Sequence, residues 1–79
     1  MLVHYKEITD LFSLCLEIST TTKHDVFFDY SPHCNLVTIM VHINGWVSGV
    51  GPDKNFRVYY DVGHKRRINK IMKYLKRLK

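Results

Sequence analysis

The side chains that could bind metal or act as nucleophiles are scattered along this chain. Its 79 residues include five histidines and two cysteines. His33 and Cys34 are adjacent, and His24 and His42 fall on neighbouring predicted strands. A zinc site needs four converging ligands, usually supplied as short pairs such as Cys-x-x-Cys or His-x-x-x-His. No such pair occurs. Cys15 falls on the apolar side of a predicted helix, where a thiol behaves as a small hydrophobe. Neighbours in an extended segment point to opposite sides, so His33 and Cys34 form no activated dyad. Ser13, Ser19, Ser31 and Ser48 belong to no nucleophile elbow. Asp25 and Asp29 share one face of a predicted strand, but strand rise sets them ~13 Å apart, too far for a working carboxylate pair. Gly49 and Gly51 lack the third glycine and the following helix of a dinucleotide loop, since Pro52 and Asp53 come next. The expectation is no catalytic residue, no metal, no cofactor and no small-molecule substrate.

The charge pattern is more informative. Residues 1–53 carry two basic side chains, Lys6 and Lys23, and six acidic ones. Residues 54–79 carry ten basic side chains and one acid, Asp61. The formal net charge of +5 is therefore the sum of an acidic body and a strongly basic end. The last 16 residues alone hold eight Lys or Arg and no acid. Such a segment either seeks an anionic partner or serves as a solvated face that docks on the acidic half of its own chain. Hydrophobic residues make up 46% of the chain, in the range of globular proteins, and no run of 18 apolar residues occurs. The N-terminus has no basic region followed by an apolar core, so a cytoplasmic protein with no membrane attachment is expected.

These residues must be positioned by a small number of elements. In residues 3–19, Ile8, Leu11, Phe12, Cys15 and Ile18 recur at helical spacing, with Leu14 and Tyr5 on the same side. The threonines at 20–22 are expected to end this helix. Residues 25–30 alternate as a strand, 31–35 read as a turn, and 36–43 form a second strand. Asn44 and Gly45 tolerate the two positive φ values of a tight hairpin, which allows a short returning strand at 46–48. Residues 56–61 read as the next strand, and Asp61 as the N-cap of a final helix over about 63–78. That helix has an apolar stripe of Ile68, Ile71, Met72, Leu75 and Leu78. The order α-β-β-β-α predicts a single α+β domain over 1–79, a two-layer sandwich of an antiparallel three-stranded sheet with two helices on one face.

Two surfaces follow. On the inward sheet face belong Val26, Phe28, Tyr30, Val37, Ile39, Val41, Ile43, Phe56, Val58 and Tyr60. The opposite face then presents Phe27, Met40 and Tyr59, with Trp46 at its edge. An exposed patch of that kind marks a partner protein or a second copy of the chain, unless Trp46 and the loop 49–55 fold over and cover it. The final helix presents Lys65, Arg66, Lys70, Lys73 and Arg77, which suit the phosphates of nucleic acid.

Two resemblances accompany these readings. The α-β-β-β-α order, the run Gly63, His64, Lys65, Arg66, Arg67, Ile68, Asn69, Lys70 and the stretch from Val41 to Gly45 are similar to double-stranded-RNA-binding domains. Arg66, Arg67 and Lys70 fall at that family's basic positions, which implies a two-layer fold that contacts duplex RNA. The stretch from Thr21 to His33, followed by Asn44, Gly45 and Trp46, resembles small uncharacterised proteins of phages and prophages of Gram-positive bacteria. That resemblance implies a non-enzymatic accessory protein in the cytoplasm of a bacterial host, with any partner protein of host or phage origin, and no known activity.

Overall fold

The computed structural model of the chain describes residues 5–59 and 65–79. Helix α1 (Tyr5–Thr21) leads into strand β1 (Asp25–Ser31). A single 3-10 turn (Pro32–Cys34) joins β1 to β2 (Leu36–His42), and a long loop leads to β3 (Lys54–Tyr59) and helix α2 (Lys65–Lys76). Tyr60, the expected N-cap Asp61 and positions 63 and 64 of the expected last helix lie outside the described residues. Positions 3 and 4 of the first helix do so as well.

The sheet is antiparallel in the order β1-β2-β3. Val26, Phe28 and Tyr30 stand opposite Val41, Ile39 and Val37, and Val58 and Phe56 stand opposite Val37 and Ile39. This register turns one continuous apolar face toward both helices. The core joins Val26, Val37, Ile39, Val41 and Val58 to Ile8, Leu11, Leu14, Cys15 and Ile18 of α1, and to Ile68, Ile71 and Leu75 of α2. Helix α1 lies over β1 and beside α2, which lies over β3. The α+β sandwich expected from the element order is therefore the observed one.

Several local expectations change. Helix α1 runs on through Thr20 and Thr21 because the threonine hydroxyls donate back to the last carbonyls. Thr20 Oγ1 reaches Leu16 O at 2.9 Å, and Thr21 Oγ1 reaches Glu17 O at 2.7 Å. Those carbonyls already accept from the backbone one turn on, so each hydroxyl finds its partner inside the helix and does not compete for the backbone at its end. Tyr5 and Phe12 are exposed rather than part of the core. The apolar arc of α1 is wider than the surface that β1 and α2 cover, so Phe12 only meets Phe28 edge-on, with ring centroids 5.1 Å apart.

The short strand at 46–48 does not form. Asn44 and Gly45 do take positive φ values, 65° and 105°. They open an eleven-residue loop, 43–53, rather than a tight hairpin, because β2 pairs with β3 from Val41 opposite Lys54. Side chains replace a ladder there. His24 Nδ1 accepts from Asn44 N at 3.0 Å, Asp25 Oδ2 from Trp46 N at 2.8 Å, and Asp53 Oδ2 from Ile43 N at 2.7 Å. The pairing also starts β3 at 54, two residues before the expected 56.

Cys15 is 2% exposed, between α1 and the sheet. Burial pushes its thiol from the ordinary 9.0 up to about 12, and a backbone hydrogen bond offsets part of that rise. Between those values the unfolded thiol ionises while the folded one keeps its proton. The contribution to stability is thus intact below pH 9.0 and falls as pH rises toward about 12, by roughly 1.4 kcal/mol per unit. Urea unfolding at about pH 8 and about pH 10 should show this loss in the native chain. Cys15→Ala should be less sensitive to pH over the same interval, and an unchanged sensitivity would reject the assignment.

Candidate functional site

Helix α2 carries six Lys or Arg among its twelve residues and no acid in its first turn. Its buried edge is Ile68, Ile71 and Leu75. At about 100° per residue, Arg66, Lys70, Lys73 and Arg77 share an arc of roughly 60° on the opposite side. All four are exposed. Arg77 stands in the turn that closes the helix, where its N–H donates to the Tyr74 carbonyl at 3.2 Å. From Arg66 to Arg77 the stripe runs about 16 Å, in steps of four, three and four residues. Lys65 is set apart. It lies about a quarter turn away, on the flank shared with Met72 and Lys76.

The other cations have local uses. Arg67 Nε donates to the carbonyl of Arg57 on β3 at 2.6 Å, which ties the start of α2 to the strand beneath it. Lys79 pairs with Glu17 of α1 at 3.2 Å. Lys76 and Lys79 line a shallow seam with Asp10 and Glu17. Among the described residues, the remaining ion pair is Lys6 with Asp10, within α1. The acidic half of the chain therefore engages one flank of α2, and the stripe of Arg66, Lys70, Lys73 and Arg77 meets no carboxylate among the described residues.

On the side toward β3, the stripe borders a groove of about 400 Å³ lined by Lys54, Phe56, Lys70, Lys73, Tyr74 and Arg77. Phe56 and Tyr74 meet edge to face at 5.3 Å. Lys54 Nζ lies 5.9 Å from the centre of the Tyr74 ring. Lys54 and Tyr74 are not evident as site residues in the sequence. The available signal is the register: Lys54 precedes Phe56 and Val58 by two and four residues, so it takes a sheet position that faces the helices. Starting the strand at 56 hides that position.

The four residues expected on the outer sheet face do not form one surface. Phe27 is the cross-strand partner of Met40 and packs its ring on His42 at 5.2 Å. Trp46 belongs to the same end, through the bond from its N–H to Asp25. Tyr59 stands opposite Leu36, four residues along β2 from Met40, or about 13 Å away by strand rise. Between them runs a polar row of Asp29, Thr38 and Arg57. Phe27, Trp46 and Tyr59 are exposed, and Met40 is half-buried. A different apolar surface is hidden in the sequence because most of its residues carry the periodicity of a core. Tyr5, Ile8, Thr9, Phe12, Phe28 and Tyr30 line an open groove of about 520 Å³ where α1 meets β1.

Among the described residues, no cluster of three or more His, Cys, Asp or Glu side chains is arranged to hold a metal ion, and no helix is long and apolar enough to cross a membrane. Compared with protein-family models, with curated proteins and with solved structures, the chain matches none.

The division of labour on α2 has a thermodynamic consequence. Arg67→Ala removes a charged donor from a strand carbonyl and should lower the unfolding free energy by about 1–2 kcal/mol. Arg66→Ala removes a cation that the helix dipole disfavours and should fall within about 0.5 kcal/mol of the native chain. Urea denaturation of the two variants distinguishes these roles. Equal destabilisation would show that both arginines are structural.

Proposed function

We propose that this chain is a small nucleic-acid-binding module, a phage-type accessory protein that holds a phosphodiester backbone along α2. The observation that carries the reading is the stripe of Arg66, Lys70, Lys73 and Arg77, exposed and without a carboxylate partner among the described residues. A purely solvated face would be as well served by mixed charges, which cost a short helix less. Successive cations rise about 6, 4.5 and 6 Å along the helix, which suits a row of phosphates better than a single anion. Lys and Arg on phosphates give affinity without choice of sequence.

Fluorescence anisotropy with labelled oligonucleotides across about 50 to 200 mM salt tests the reading. Four phosphate contacts give a slope of log K against log salt of about −3.6 for a duplex and about −2.8 for a single strand. Replacing Lys70, Lys73 and Arg77 together with glutamine should remove about three-quarters of that slope. Absence of binding at low salt, or a slope that the triple variant leaves unchanged, would overturn it.

A second reading, assembly with another copy of the chain, draws support from the α1–β1 groove, where Tyr5, Phe12 and Tyr30 are exposed in addition to Leu16 on the same helix. Light scattering over a concentration series should then give a dimer that Phe12→Ser dissociates. A monomer up to the solubility limit would exclude it.

A further inference from the structure

We infer that the groove between β3 and α2 takes an unpaired nucleotide, so that the module prefers single-stranded to double-stranded nucleic acid; this rests on the phosphate-binding reading above.

The groove has two cationic walls and an aromatic floor. Lys70, Lys73 and Arg77 come from α2, and Lys54 comes from β3. No carboxylate lines it. The floor is the corner made by Phe56 and Tyr74, whose rings stand 63° apart. Both rings are half-buried, so each keeps part of its surface open. A flat ring laid on one of them abuts the other. A ligand that fills this groove therefore has a planar apolar part and an anionic part beside it. A nucleotide with its base out of any stack has that composition.

The cost of exposing the base decides between strand types. Stacking on an aromatic side chain strengthens binding by about five- to a hundredfold per base. A base in a single strand reaches the floor at little cost. A paired base must first leave its stack, and that penalty is of similar size to the gain. A duplex can thus satisfy the cations of the rim but leaves Phe56 and Tyr74 in water. Lys54 is placed to respond. It forms no ion pair among the described residues, and its contact with Tyr74 is at the outer range for a cation over a ring. Its flexible stem lets the ammonium leave the ring for a phosphate as a base arrives.

The experiment compares a labelled oligothymidine single strand, a duplex of the same length and free thymidine monophosphate as competitor, all at one salt concentration. The single strand should bind at least about fivefold more tightly than the duplex. Phe56→Leu and Tyr74→Leu should each weaken the single strand by about five- to thirtyfold and leave duplex affinity and salt slope unchanged. Lys54→Gln, on the exposed rim and outside the helix, should act in the same direction without disturbing the core, which guards against misfolding of the ring variants. Equal affinity for both strand types, with all three variants behaving as the native chain, overturns the inference while the phosphate reading stands. Competition by the monophosphate at concentrations similar to the strand's would assign the groove to a free nucleotide and overturn the strand preference. Failure of strand and duplex alike would overturn the phosphate reading and this inference together.

Discussion

Ile68, Ile71 and Leu75 are almost completely withdrawn from water, and they share one side of α2. Every other position of that helix is decided with them. A twelve-residue helix is marginal by itself. This one also sets like charges at helical neighbours: Arg66 and Arg67 with Lys70, Lys70 with Lys73, and Lys73 with Lys76 and Arg77. Each such contact costs about 0.2–0.5 kcal/mol, whereas each buried aliphatic side chain contributes about 1.5–3 kcal/mol. Packing therefore wins, and the helix exists because the sheet holds it. The same burial forces its cations outward as one surface, and charge repulsion is the residual strain that an anion would relieve. Anything that binds this surface in the folded state alone also stabilises the fold.

The acidic side chains of α1 shape that surface by where they stop. Asp10 and Glu17 lie on the flank of α1 that faces α2 and line a seam with Lys76 and Lys79, where Glu17 pairs with Lys79. Exposed pairs of this kind contribute little stability. Their effect is to cancel the field on one flank and leave it uncancelled on the other. The opposite flank of α1 is aromatic and uncharged, with Tyr5 and Phe12 over the open edge of β1. The molecule thus has a neutral apolar side at β1 and a positive side at β3, separated by the paired seam between the helices.

Much of this was legible in the sequence, and the failures have physical causes. The stripes at 8, 11, 15 and 18 and at 68, 71 and 75, and the alternation at 37, 39 and 41, each have a period that only one kind of element satisfies, so both helices and the central strand are legible. Phe12 and Tyr5 were misread because helical periodicity reports which side is apolar, not how wide a surface the neighbours cover. The strand expected at 46–48 does not form because residues 44 and 45 carry the dihedral preference of a hairpin, whereas the loop is held by His24 and Asp25, about twenty residues earlier, and by Asp53 at its own far end. No local pattern encodes those bonds. Of the five cations expected on the site, four fall on one stripe, and Lys65 stands apart by its place on the wheel.

Lys54 shows how tertiary structure adds to that stripe. Its sheet position faces the helices, opposite Val41, which is fully buried. A cation is tolerated at such a position only where the layers part, since its stem can lie along apolar surface while its charge reaches water. Phe56, next on the same face, is half-buried, and Val58 beyond it is in the core. Burial thus fades along β3 from Val58 to Lys54 as the strand runs out from under α2. The groove is the consequence of that divergence. Its aromatic floor is the last part of the core, left open at the margin, and its rim is the first part of the charged surface. A site that joins ring surface to positive charge arises there without any residue being set aside from the fold to make it.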